Sequence, residues 1–198
     1  NGSTPDIVID FIKGLTGDNE VVYKYIFTWC AFLLQNPAEI PGVMLVMQSA
    51  KGVGKSLFYE FLKLILGEIN CTSIAEMEYL VGQFNAKRKD KKLVALEEIG
   101  SSVYDPKNWG KMKDMITGHI QGFNRKHQAI EDSPSPSGFL QFTNDDDCVR
   151  VDDNGIRRIF LVKCDNYWSY KACEINGRVK ERQDKFHKLT ENVLYDKD

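Results

Sequence analysis

The chain has 198 residues, of which 42% are hydrophobic and 27% charged, the composition of an ordinary globular domain, and this excludes wholesale disorder. Its 26 basic and 28 acidic residues give a formal net charge of -2, so no global basic excess points to nucleic acid, and any such contact has to come from a local patch. No apolar run approaches the ~18 residues of a transmembrane helix.

The five cysteines are scattered and none forms a C-x-x-C pair, which argues against a disulfide framework or a zinc site. Reduced thiols and an intracellular location are expected. The opening Asn1, Gly2, Ser3 and Thr4 read neither as a signal peptide nor as an initiator start, so the chain is expected to be a fragment of something longer.

In chain order, residues 6–14 and 20–34 carry apolar residues at helical spacing. Asp18 and Asn19 can start the second helix, and Asn36 and Pro37 end it. Residues 43–47 are a continuous apolar run that fits a strand buried on both faces, as in a parallel sheet. A glycine-containing loop and an amphipathic helix over 55–66 follow, closed by Gly67. Further on come a short strand at 71–74, a helical turn at 77–81, a buried strand at 93–96 and a helix at 107–117. A hairpin over 120–130, a buried strand at 139–143 and a strand over 156–163 complete the pattern. A charged tail carries a helix over 178–194. Short apolar strands alternating with helices predict an α/β domain with a mainly parallel central sheet flanked by helices. The expected division is an N-terminal helical collar or oligomerisation element at 1–37, a core at 38–170 and a charged helical tail at 171–198.

The loop between the first strand and its helix reads Ser49, Ala50, Lys51, Gly52, Val53, Gly54, Lys55, Ser56. Glycines let backbone N–H groups converge on phosphate oxygens, and the helix N-terminus adds partial positive charge. Lys55 is placed to reach β- and γ-phosphates and the Ser56 hydroxyl to ligate Mg²⁺. Ser49 stands where the G-x-x-x-x-G-K-[ST] pattern has its first glycine. The expected ligands are ATP and Mg²⁺.

The strand at 93–96 ends in Glu97 and Glu98. Successive side chains point to opposite faces, so the two acids cannot share one task. Glu97 is assigned to the metal and Glu98 to the attacking water. The strand at 139–143 ends in Asn144, whose amide can hydrogen-bond a γ-phosphate or the lytic water, although an asparagine opening a polar loop reads equally well. Arg157 and Arg158 follow a tight Asn154–Gly155 turn. Exposed arginine pairs are ordinarily solvated, but arginine also stabilises γ-phosphate charge from a neighbouring subunit.

In this order the pieces resemble the superfamily 3 helicases of the AAA+ class, and most closely the helicase half of viral, phage and plasmid primase–helicases and primase–polymerases. The resemblance is carried by residues 48–56, 79–86, 93–98, 116–126, 139–144 and 154–160. It implies Asn144 as a sensor residue, and Arg157 or Arg158 as an arginine finger acting in trans. It also implies a hairpin that brings Lys126, with Arg125, His127 and Phe123, to single-stranded DNA in a ring pore. A homo-hexamer acting on single-stranded DNA or a fork is implied, or a monomer for a fragment, with a primase or polymerase domain on the same full-length chain and no membrane contact. In this reading the location is the cytoplasm of the host. The charge cluster at 87–92 could contact DNA or a subunit but reads more readily as a solvated loop, and Tyr167, Trp168 and Tyr170 could form a stacking platform but read more readily as packing onto the core. The competing readings are a P-loop kinase acting on a small acceptor and a nucleotide-gated module with little hydrolysis.

Overall fold

The computed structural model describes residues 4–82, 85–97, 99–124, 130–146, 148–149 and 157–191. Two helices open the chain, α1 (Thr4–Leu15) and α2 (Glu20–Gln35). The Asn19 side chain caps α2 by accepting from the Val22 N–H at 3.2 Å. Then come β1 (Met44–Gln48), α3 (Lys55–Leu66), β2 (Cys71–Ile74), α4 (Met77–Val81), β3 (Leu93–Leu96) and α5 (Pro106–Thr117). An antiparallel ribbon of β4 (Ile120–Phe123) and β5 (Glu131–Pro134) leads to β6 (Gly138–Thr143) and β7 (Ile159–Lys163). Two more helices, α6 (Tyr170–Ile175) and α7 (Val179–Leu189), close the described chain.

Five strands form one sheet in the order β2-β3-β6-β1-β7, and every pairing is parallel. The predicted α/β class with a parallel central sheet is what is found. Strand alternation explains the double burial. Leu45, Met47, Leu93, Ala95, Leu140 and Phe142 face one core, with Phe11, Ile26, Trp29, Leu33 and Phe58 from α1, α2 and α3. Met44, Val46, Val94, Leu96 and Phe139 face the other, with Trp109, Met112 and Met115 of α5 and Leu80 of α4.

The last strand begins at Ile159, the C-terminal helix is Val179–Leu189, and the second strand of the ribbon, Glu131–Pro134, lies beyond the hairpin expected over 120–130. The apolar stripes of the N-terminal helices pack against the sheet and α3: Phe11 meets Phe61 of α3 edge-on, with ring centroids 5.3 Å apart.

Parallel pairing puts the ends of β1, β6 and β3, three neighbours in the sheet, along one edge. In such sheets ligands bind beyond the carboxyl ends of the strands.

Candidate nucleotide-binding site

β1 hands over to α3 through residues 49–54. Gly52 and Gly54 take φ of +90° and +109°, a region that L side chains rarely adopt, so the loop is affordable only with glycine there. Gly54 is the N-cap of α3 and supplies no side-chain cap. The first helical N–H groups therefore face the cleft with the positive end of the helix dipole, a ready-made anion site.

Lys55, the first residue of α3, is buried with its ammonium turned into the loop. Nζ donates to Ser49 Oγ at 2.6 Å, to Asn144 Oδ1 at 2.7 Å, to Ser49 O at 3.0 Å and to Ala50 O at 3.5 Å. All four acceptors are neutral. Burial consequently lowers the Lys55 pKa from its ordinary value, partly offset by the nearby Cys164. A cation satisfied only by neutral oxygens is poised to exchange them for phosphate oxygens.

A cleft of about 770 Å³ opens over this loop. Lys51, Gly52, Val53, Gly54, Lys55 and Ser56 line it from the loop side, Glu97 from the end of β3, and Thr143, Asn144 and Asp145 from the end of β6. Glu97 is anchored by its N–H, which donates to Ile74 O at 3.0 Å. Asp145 is fixed on both sides: its N–H donates to Thr143 Oγ1 at 3.1 Å, and its carbonyl accepts from Gln48 Nε2 at 2.8 Å. Ser56 and Glu97 are the oxygen donors that fit Mg²⁺. Among the described residues no group of three or more His, Cys, Asp or Glu could hold a metal alone. A magnesium ion here would therefore take the rest of its shell from phosphate and water, its usual habit. Glu98 lies outside the described residues.

The loop is also gripped by the C-terminal segment, a contact with no signal in the sequence. Ala50 N–H donates to Asn166 Oδ1 at 2.8 Å, Tyr170 N–H to Lys51 O at 3.1 Å, and Arg182 Nη2 to Gly52 O at 2.6 Å. Three consecutive loop residues are thus tied to residues more than 110 positions away. Tyr170, Arg182 and Phe186 also line the cleft.

The other expected site residues lie away from this cleft or outside the described residues. Arg157 and Arg158 stand at the amino end of β7, where Arg158 O accepts from Met44 N at 2.8 Å, at the opposite edge of the sheet from the loop. Five strand residues separate that edge from the loop, about 16 Å at ~3.3 Å per residue. Phe123, expected beside DNA, is buried, with the Arg88 guanidinium 4.8 Å from its ring centroid. Its ring packs inward. Arg125, Lys126 and His127 lie outside the described residues.

The charge cluster at 87–92 is not simply solvated either. Arg88 donates through Nε to Leu80 O at 3.0 Å and through Nη1 to Gln121, and burial lowers its pKa to about 10. Lys92 is buried and donates to the carbonyls of Glu39, Asn36 and Pro136 at 2.7, 2.8 and 3.1 Å. Lys89 pairs with Glu131 across to β5 at 2.6 Å.

Comparison with known proteins finds chains of similar sequence and fold. The chain is 26% identical over 164 residues to the DNA primase-polymerase of Nitratiruptor phage NrS-1 and spans 22% of the length of that relative. The apo structure of the NrS-1 C-terminal region superimposes with a TM-score of 0.73 at 22% identity, over 93% of this chain and 44% of that one. A JCV helicase superimposes with a TM-score of 0.56 at 16% identity, over 97% of this chain and 54% of that one. The fold is therefore one shared with the NrS-1 C-terminal region and with that helicase. Among the described residues no helix is long and apolar enough to cross a membrane. Residues 47–158, more than half of the chain and all of the loop-to-arginine stretch described above, match one family model: the chain belongs to the family of unknown function DUF5906.

Proposed function

We propose that this chain is the ATP-hydrolysing motor of a DNA helicase within a viral or plasmid replication protein. It acts on single-stranded DNA or a fork as a homo-hexamer, with a primase or polymerase domain on the same longer protein. One observation carries the reading. Lys55 and Asn144, 89 residues apart, meet in a 2.7 Å hydrogen bond at the mouth of a loop whose backbone only glycine can adopt. The likeness to a phage DNA primase-polymerase supports the replication context.

The chain's own groups then divide the work. The loop N–H groups and the α3 N-terminus receive the phosphate oxygens. Lys55 leaves Ser49 and Asn144 for the β- and γ-phosphates. Ser56 and Glu97 would hold Mg²⁺, which would supply positive charge to neutralise the charge that develops on the phosphate. Glu98 takes the proton of the attacking water as its oxygen bonds to the γ-phosphorus and the bond to the ADP oxygen breaks. Asn144, released from Lys55, orients that water or the γ-phosphate. The position of Arg157 and Arg158, an estimated 16 Å from their own loop, favours their acting on the nucleotide of a neighbouring copy.

The test is the ATPase rate with and without single-stranded DNA, on protein of measured mass in solution. DNA should stimulate release of free phosphate, and Lys55→Ala should abolish it. Near-normal turnover in Lys55→Ala, or a phosphorylated small molecule in place of free phosphate, overturns the reading.

A further inference from the structure

We infer that the Tyr170 ring, backed by the Arg182 guanidinium, is the stacking platform for the base of a bound nucleoside triphosphate. The site consequently ranks bases by stacking surface, purines above pyrimidines. This rests on the phosphate-loop reading and extends it to the remainder of the same cleft.

A phosphate chain seated on the loop backbone and the α3 N-terminus leaves the nucleoside to the other walls. These include Phe142, Tyr170, Phe186 and Arg182. Among them Tyr170 is unusual, because it is an aromatic residue with 60% of its surface exposed and yet is fixed in place. Its N–H is bonded to Lys51 O. Its ring lies so close to Gly52 that a Cβ there would come within 2.4 Å of Tyr170 Cδ2. The Arg182 guanidinium carbon sits 3.9 Å from the ring centroid and 4.6 Å from that of Phe186. That guanidinium is itself held by Gly52 O at 2.6 Å and Trp168 O at 2.9 Å.

The ring is thus anchored to the very loop that would hold the phosphates, which fixes the spacing between base and phosphate positions. Its accessible surface is what a second π-system can use, and every base has a π-face to offer. Recognition by stacking carries little information about the base edge but scales with ring size, which gives the order of preference.

Equilibrium binding of ATP, CTP and inorganic tripolyphosphate in Mg²⁺ tests this on the unaltered protein and on Tyr170→Ala, Tyr170→Phe and Lys55→Ala. The unaltered protein should bind ATP more tightly than CTP. Tyr170→Ala should weaken ATP roughly 5- to 100-fold, the range of one lost base–aromatic stack, with a smaller loss for CTP and none for tripolyphosphate. Unchanged tripolyphosphate affinity also shows that the loop is still folded. Tyr170→Phe should restore ATP binding. Equal losses of ATP and tripolyphosphate in Tyr170→Ala would mean that the ring only shapes the loop, and an unchanged ATP affinity would place the base elsewhere; either result overturns the platform. Retention of tripolyphosphate affinity in Lys55→Ala would instead overturn the phosphate-loop reading beneath it.

Discussion

Replacing Asn144 by aspartate separates the two jobs that the structure gives this side chain. The Asn144 amide oxygen lies 2.7 Å from Lys55 Nζ, inside a group of acceptors that carries no formal charge. A carboxylate there puts a full negative charge on a buried ammonium that has none nearby among its acceptors. At an effective dielectric of about 20 the attraction at 2.7 Å is about 6 kcal/mol before the desolvation of both ions is subtracted. A hydrogen bond to a charged group nets about 1.5–3 kcal/mol, so a surplus of about 1–2 kcal/mol over the amide is reasonable. The free protein should therefore gain roughly 2–8 °C in Tm. ATP affinity should fall about 10- to 100-fold, since Lys55 must give up an ionic partner and the triphosphate meets a like charge. Both partners stabilise the fold in their charged forms, so the gain should be present at neutral pH and vanish as pH falls through the carboxylate range, about 3–4. Differential scanning fluorimetry and calorimetric titration with ATP read the two effects on one sample. Higher stability together with weaker binding cannot come from misfolding. Unchanged ATP affinity, or a loss of both stability and affinity, would refute the placement of Asn144 against the phosphate-binding cation.

Three further outcomes follow from the same geometry. Burial lowers the Lys55 pKa below its ordinary 10.5, so the affinity of the free protein for tripolyphosphate should decline with rising pH earlier than an unperturbed lysine would allow; a flat profile up to pH 10.5 would contradict this. Lys92→Met leaves three carbonyls of two separate segments without their shared donor and should destabilise the fold by roughly 2–4 kcal/mol in denaturant titration; a change within about ±0.5 kcal/mol, typical of a surface site, would show the lysine to be incidental. Mixing an Arg157→Ala/Arg158→Ala subunit with a Glu98→Gln subunit should restore part of the ATPase activity that each lacks, because mixed assemblies contain some intact interfaces; no rescue in demonstrably mixed oligomers would mean that the site is completed within one chain.

Much of this was legible because the chemistry is local. A fully buried strand must be an apolar run, and the abrupt polar residues at its end then mark the sheet edge. That logic located Ser49, Glu97 and Asn144, and the parallel register brings their strands side by side. The C-terminal grip was illegible for a physical reason. Asn166 bonds across 116 residues and Arg182 across 130, and both meet backbone groups, which have no sequence signature. The same holds for the basic cluster. Arg88 and Lys92 are buried against carbonyls, whereas Lys89 reaches a carboxylate on the neighbouring ribbon. In sequence all three look like a solvated run. Phe123 misled in the opposite sense, because an aromatic residue beside basic ones reads as a nucleic-acid platform until Arg88 is found lying on its ring.

Helices α1 and α7 meet at the loop, and this bears on how the site would respond to binding. A Cβ at Gly54 would come within 2.8 Å of the Phe11 ring and 2.9 Å of the Phe186 ring, so α1 and α7 both close on the N-cap of α3. Phe11 and Phe186 themselves meet edge-on, with centroids 6.4 Å apart. Together with the Asn166, Tyr170 and Arg182 bonds, the loop is packed by α1 and by the segment from Asn166 to α7, and part of that segment also lines the cleft. A ligand that contacts Arg182 and Phe186 in that cleft would favour the packed position of α7, and by linkage anything that favours that position would favour the ligand by the same factor. The segment that an alignment of phosphate-loop motifs would leave out thus lines the same cleft as the loop.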